Sequence, residues 1–392
     1  HRLNETVTEK MRALFQNVGR AAMAAMEQDL LPDAEIKRKQ AFVATLLRLN
    51  EAESLLWQAL ILHRQQYGQY DGRTLSIMGK LASVLSSRGQ YKSAECLFRR
   101  VVMLCGSCLG TDSKETIQYT MHLAATVDEQ KRYAEAETLY RWVLDRRTLA
   151  LGANDALLTM QYLAGTLQNQ KKSLEAHSML QTCLVRTTRK YGLRHPRTLS
   201  VMADLAVVFN DLDQLAASEQ LQRRVLIITQ SQLGRQHREY FVALYNLANT
   251  LLKQEKWQQA ELLFREAIPG RAVAFGNSHS KTAASQHNLG IALCEQKKFT
   301  EAVVWLRKAL AGRQASLGVR HPITLETNFI LGHCFYLQGR LVEAEADLRV
   351  ALAGFRAALD PSDPRISCAE KQLALVLEAQ RKVNNGDSQP QS

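Results

Sequence analysis

From Gly68 onward the apolar and polar positions of this chain repeat with a period of 42 residues. The most regular apolar feature is a leucine followed by a small residue: Leu81-Ala82, Leu123-Ala124, Leu205-Ala206, Leu247-Ala248, Leu289-Gly290, Leu331-Gly332 and Leu373-Ala374. Leu163-Ala164 belongs to the same series, in a unit where the spacing from Gly152 to Gly192 falls to 40. Each pair centres a predicted helix. A second predicted helix begins near Ala94, Ala136, Ala176, Ser218, Ala260, Ala302 and Ala344. Three residues ahead of these stand Tyr91, Tyr133, Ser173, Leu215, Trp257, Phe299 and Leu341, read as inter-helix core. Gly68, Gly110, Gly152, Gly192, Gly234, Gly276 and Gly318 open the units, and Asp360 opens a truncated last one. A fixed period of this size is the signature of a repeat architecture. It predicts an all-α fold, a right-handed α-solenoid of stacked antiparallel helix pairs. The small residue admits the second helix and the leucine fills the space between the two. All eight leucines are therefore expected to be buried, each costing about 2–5 kcal/mol on truncation to Ala.

The periodicity also sets the expected organisation. Residues 1–33 form an N-terminal capping helix, with Leu3, Val7, Met11, Leu14, Val18 and Ala22 on one stripe. Residues 34–67 form a degenerate repeat of two helices, the second containing Glu51-Ala52-Glu53. Seven repeats occupy 68–359, a C-terminal capping helix 360–381 and a disordered tail 382–392. Pro269-Gly270 falls inside a second helix, where a proline removes a donor and clashes with the carbonyl of Arg265, so a kink or early stop is expected there. Close packing accounts for Gly270, Gly312 and Gly354, which share one column.

The net charge of +12 invites a nucleic-acid reading, but the arrangement of charge argues against one. Arg99, Arg141, Arg223, Arg265, Arg307 and Arg349 form one column. Glu95, Glu137, Glu219, Glu261 and Glu345 stand four residues before five of them, the favourable orientation for a helical ion pair. The regular basic column is thus already partnered, and no nucleic-acid partner is expected. The seven cysteines are odd in number and scattered, which fits reduced thiols and a cytoplasmic location. Cys105 and Cys108 form a CxxC inside a helix, read as packing. No apolar run is long enough for a membrane span, so no membrane partner is expected. Because the chain opens on His1 rather than Met, the natural start is expected upstream, and targeting and oligomeric state are left open.

Catalytic patterns are missing. Gly79-Lys80 is followed by Leu81 and makes no phosphate-binding loop, and there is no HExxH, GxSxG, dinucleotide-binding glycine cluster or EF-hand loop. His195, His237, His279 and His321 recur one per repeat, too far apart to share a metal, and are read as turn residues. No enzyme activity, cofactor or metal is expected.

The Leu–small pair, the Ala-Glu opening of the second helix and Leu-Gly-x-x-His-Pro-x-Thr-Leu at Leu317 to Leu325 resemble the tetratricopeptide repeat, in the 42-residue form of kinesin light chains. The resemblance covers Gly68 to Leu377; the heptad-rich segment through which kinesin light chains join their heavy chain is not visible. It implies an adaptor or scaffold that holds a partner peptide in a concave groove lined by the first helices. It places in that groove Tyr245, Asn246, Asn249, Lys253, His287, Asn288, Phe329, His333 and Tyr336. Earlier repeats offer small or acidic groups there, such as Ser83, Ala125, Asp128, Glu129 and Asp211. A C-terminal-carboxylate clamp is not expected, since its places hold Tyr245, Glu326 and Ile330. Two alternatives stay open: a regulatory or sensor segment of a larger multidomain protein, and a nucleic-acid-binding solenoid.

Overall fold

A computed structural model describes residues 33–150 and 156–384, and among these every regular element is a helix. The helices are α1 (Asp33–Tyr67), α2 (Gly72–Ser87), α3 (Tyr91–Leu109), α4 (Lys114–Glu129), α5 (Tyr133–Ala150), α6 (Leu157–Asn169), α7 (Ser173–Tyr191) and α8 (Pro196–Asp211). Next come α9 (Leu215–Leu233), α10 (Arg238–Lys253), α11 (Trp257–Phe275), α12 (Ser280–Glu295), α13 (Phe299–Leu317), α14 (Pro322–Leu337), α15 (Leu341–Ala358) and α16 (Pro364–Asn384). They fall into two compact units, His1–Gln214 and Leu215–Ser392, with the boundary between α8 and α9. Within each unit successive helices pack on one another in chain order, as a tetratricopeptide-like solenoid does.

The local chemistry recurs from repeat to repeat, except that Ala156 ahead of α6 provides no side-chain cap. A polar side chain caps the first helix by accepting the N–H two or three residues on: Asp71, Ser113, and then His195, His237, His279 and His321 through Nδ1. The repeated histidines are therefore helix caps. The connection to the second helix passes through a left-handed residue, Gly89 and Gly339 in two repeats, but Lys131, Lys171, Asp213, Glu255 and Lys297 elsewhere. Leu81, Leu123, Leu163, Leu205, Leu247, Leu289 and Leu331 are all buried, as is the small residue beside each. Leu373 is only half-buried and Ala374 exposed, since among the described residues no second helix follows α16.

The Glu–Arg pairs form as the spacing predicts, at Glu95–Arg99, Glu137–Arg141, Glu219–Arg223, Glu261–Arg265 and Glu345–Arg349. Each carboxylate also reaches the following repeat. Glu137 accepts from Gln170 and Lys172, Glu261 from Gln296 and Lys298, and Glu345 from Gln380, all within 2.9 Å. These clips bind one repeat to the next. Two repeats lack the glutamate. His177 instead sets its ring 5.2 Å from that of Phe209, and Val303 leaves Gln338 Nε2 buried without an acceptor.

Three expectations are corrected. Residues 33–67 form one unbroken helix, not two, since no glycine or proline interrupts the stretch around Asn50. Pro269 does not end α11, which continues to Phe275. Burial of Ala267, Ile268, Gly270 and Arg271 on either side holds the last turns in place. The final helix runs to Asn384, past the expected limit at 381. The N-terminal capping helix (1–33) and the tail beyond 384 lie outside the described residues, apart from Asp33.

Candidate functional site

In the second unit the first helices of successive repeats, α10, α12 and α14, approach one another as well as their own partners. Among the described residues α11, α13 and α15 make no comparable approach, so the first helices form the inner layer. The expected groove residues lie on this layer, but not all on its surface.

Asn249 on α10 and Asn288 on α12 meet directly, Asn288 Nδ2 donating to Asn249 Oδ1 at 2.6 Å. Both are half-buried, as is Asn246. Lys253 is exposed at the end of α10. Tyr245, Phe329 and Tyr336 are half-buried and pack against the core, so their rings form floor rather than free edges. Tyr245 lies 6.1 Å from Phe264, ring to ring, and carries the guanidinium of Arg271 3.9 Å over its face. His333 is half-buried; burial draws its pKa down, against Glu295 and a hydrogen bond with Gln372.

His287 departs from expectation. It is buried, and desolvation together with nearby Arg313 lowers its pKa to about 3. It is a neutral interior group, not a side chain lining an open groove. Its column also holds Tyr245 and Phe329, and the sequence alone does not separate the burial of the three.

Sequence reasoning missed two arginines. Arg271 on α11 and Arg313 on α13 are 4% and 5% exposed, each reaching inward from a second helix. Arg271 donates to the Lys281 carbonyl at 2.8 Å, and Arg313 to the Ile323 carbonyl and Thr327 Oγ1, both at 2.8 Å. Among the described residues neither is paired with a carboxylate, and the Nε of each makes no protein hydrogen bond. Nor do His287 Nδ1 and Gln286 Oε1. Desolvation pulls Arg271 down to about 10, opposed by Tyr245; Arg313 is lowered the same way, opposed by Glu326 and Tyr245. Two buried cations without carboxylate partners are costly, and an incoming anion would relieve that cost. The signal available was their 42-residue spacing, in a column that also holds Arg147.

In the first unit the inner face is acidic. Asp204 accepts from Gln161 Nε2 at 2.6 Å, Asp128 from Thr166 at 2.8 Å and Asp211 from Gln168 at 2.9 Å. Burial raises the pKa values of Asp128 and Asp204 against these bonds.

Two sequence profiles of the tetratricopeptide repeat match the chain, one at residues 201–272 and 281–357, the other at 74–113, 116–157 and 156–197. Together they span well over half of it. No curated protein matches. Among solved structures, the apo form of the quorum sensor NprR from B. thuringiensis is similar at 13% identity and a TM-score of 0.59, covering 90% of this chain and 99% of its own. A tetratricopeptide repeat protein from Parabacteroides merdae ATCC 43184 has 12% identity and a TM-score of 0.53 over 78% of this chain and 100% of its own. A putative kinesin light chain repeat protein from Podosopora anserina is 23% identical, with a TM-score of 0.46, over 52% of this chain and 95% of its own. No helix among the described residues is long and apolar enough to cross a membrane.

Proposed function

Since the chain belongs to the tetratricopeptide repeat family, we propose that it is a protein-interaction adaptor whose second unit holds an extended partner segment along α10, α12 and α14. The observation that carries this reading is the Asn249–Asn288 amide pair on adjacent inner helices. The bond between them uses one donor and one acceptor lone pair, leaving further amide hydrogens and lone pairs for a peptide backbone. Arg271 and Arg313, buried without carboxylate partners beside Tyr245 and His287, favour a segment that brings an acidic side chain. Cargo selection in the manner of a kinesin light chain is the finer form of the proposal. The acidic inner face of the first unit favours no such anion.

The test is an array of extended peptides, acidic and charge-neutral, titrated against the full chain and against Asn249→Ala/Asn288→Ala. Acidic peptides are expected to bind, and to bind the double variant about tenfold more weakly. Equal affinity of a folded double variant for every bound peptide would remove the groove from this face.

A further inference from the structure

Cys294, on the last turn of α12, and Cys334, in α14, belong to successive repeats, and their thiols meet in the buried layer between the two helices. Sγ lies 2.7 Å from Sγ, with Cys334 donating to Cys294. A disulfide places its sulfurs about 2 Å apart, so bonding requires a movement of under roughly 1 Å. Both residues are buried in the same apolar cluster as Leu289, Leu331 and Phe335, with Cys294 the slightly more accessible. The same interface lacks the glutamate clip, since Val303 stands in its place and Gln338 Nε2 has no acceptor. The repeats are joined there by apolar packing, by the bonds from Arg313 to Ile323 and Thr327, and by this thiol pair.

We propose that Cys294 and Cys334 are a redox pair, converted by hydrogen peroxide into a disulfide that staples α12 to α14. Cys294 is the attacking group: the hydrogen bond from Cys334 lowers its pKa, while Cys334 holds its own proton more tightly through that donation and its burial. The Cys294 thiolate attacks one peroxide oxygen and the O–O bond breaks. The departing hydroxide takes a proton and leaves as water, and Cys294 is left as a sulfenic acid. Cys334 then gives up its proton and attacks the Cys294 sulfur; the S–O bond breaks and a second water leaves. Two thiols lose two electrons, and one peroxide is reduced to two waters. The staple forms whether or not the groove on α12 and α14 is the binding face.

The test treats the reduced full chain with hydrogen peroxide, alkylates the remaining thiols and maps tryptic peptides. The peptides spanning 282–297 and 321–340 are expected as one linked species, two hydrogens lighter than their sum and separated again by dithiothreitol. The oxidised chain is expected to melt at least about 3 °C higher than the reduced one, a difference absent from Cys334→Ala. The comparison of wild-type forms stands even if that variant folds poorly. Separate peptides after exposed Cys96 and Cys368 have been oxidised would overturn the pair, and a linked chain with an unchanged melting temperature would overturn the staple.

Discussion

Lys298, in the turn ahead of α13, brings its Nζ to 2.8 Å from the carboxylate of Glu261 on α11, the second helix of the preceding repeat. The Glu261 side chain is only 10% exposed, whereas Lys298 is 47% exposed. Removing the two ends therefore has unequal consequences. Glu261→Ala removes a carboxylate that joins three donors, although Arg265 keeps Glu301 and Gln296 keeps the Ala292 carbonyl, and is expected to cost about 1.5–3 kcal/mol in urea unfolding. Lys298→Ala loses a solvent-screened partner and is expected to cost under about 1 kcal/mol. Equal losses would mean that the clip acts as a surface ion pair.

The clips also set the acid limit of stability. Burial alone would raise the pKa of Glu137, but hydrogen bonds from Lys172, Arg141 and Gln170 outweigh it and hold the carboxyl at about 2. The folded value lies below the reference of 4.5, so the stabilisation is fully present above pH 4.5 and is lost as pH falls through about 2. Asp128 and Asp204, raised by burial, oppose this loss. Urea midpoints measured from pH 6 to pH 2.5 are expected to fall, with a shallower fall in Glu137→Gln. Parallel curves for the two proteins would refute the assignment.

The histidine caps add sensitivity at higher pH. His279 Nδ1 accepts the Lys281 N–H at 3.1 Å, which a protonated ring nitrogen cannot do. Burial, Lys281 and Arg271 lower its pKa, and His287 is lowered to about 3. Both shifts are depressions below 6.5, so their stabilisation is present above that pH and declines below it. His279→Asp keeps the cap and removes one of these titrations. It is expected to match the wild type at pH 7.5 within about 0.5 kcal/mol and to exceed it at pH 5. A variant weaker at both pH values would show that the ring does more than cap.

Gly332 separates packing from helix propensity. A Cβ there would lie 2.7 Å from Leu348 Cγ and 3.1 Å from the Ala344 carbonyl oxygen. Propensity alone favours Ala over Gly by about 1 kcal/mol, whereas overpacking costs about 1–3 kcal/mol. Gly332→Ala is expected to be destabilising by about 1 kcal/mol, although alanine fills the same column at Ala82, Ala124 and Ala248. A rise in melting temperature would show that α15 can yield.

The groove prediction concerns binding rather than stability. Asn249→Ala with Asn288→Ala is expected to weaken an acidic peptide about tenfold, roughly 1.4 kcal/mol, with little change in melting temperature. Tyr245→Ala is a poorer probe, because its ring carries Arg271 and packs on the core. That variant is expected to lose stability as well as affinity.

Much of the fold was legible in the sequence because one packing solution recurs. Leu81 and its equivalents occupy the same environment in every complete repeat, and Glu137 and Arg141 need only helical geometry to meet. The misreadings arose where tertiary packing decides. Pro269 carries a local penalty of about 3 kcal/mol, which burial of the flanking residues overrides. Glu51-Ala52-Glu53 looks like a helix start, yet nothing before it stops a helix. At the candidate site the Asn column was visible. The burial of His287 and the inward reach of Arg271 and Arg313 depend on which neighbours cover them, and period alone does not encode that.

The clips have a direction. Glu137 and Glu261 are each completed by a glutamine and a lysine that come later in the chain. During synthesis a finished repeat therefore holds a partly desolvated carboxylate until the next turn has left the ribosome. The array matures one repeat behind the growing end. The last clip glutamate, Glu345, waits for Gln380 on α16. A chain cut before that residue would leave Glu345 held by Arg349 alone.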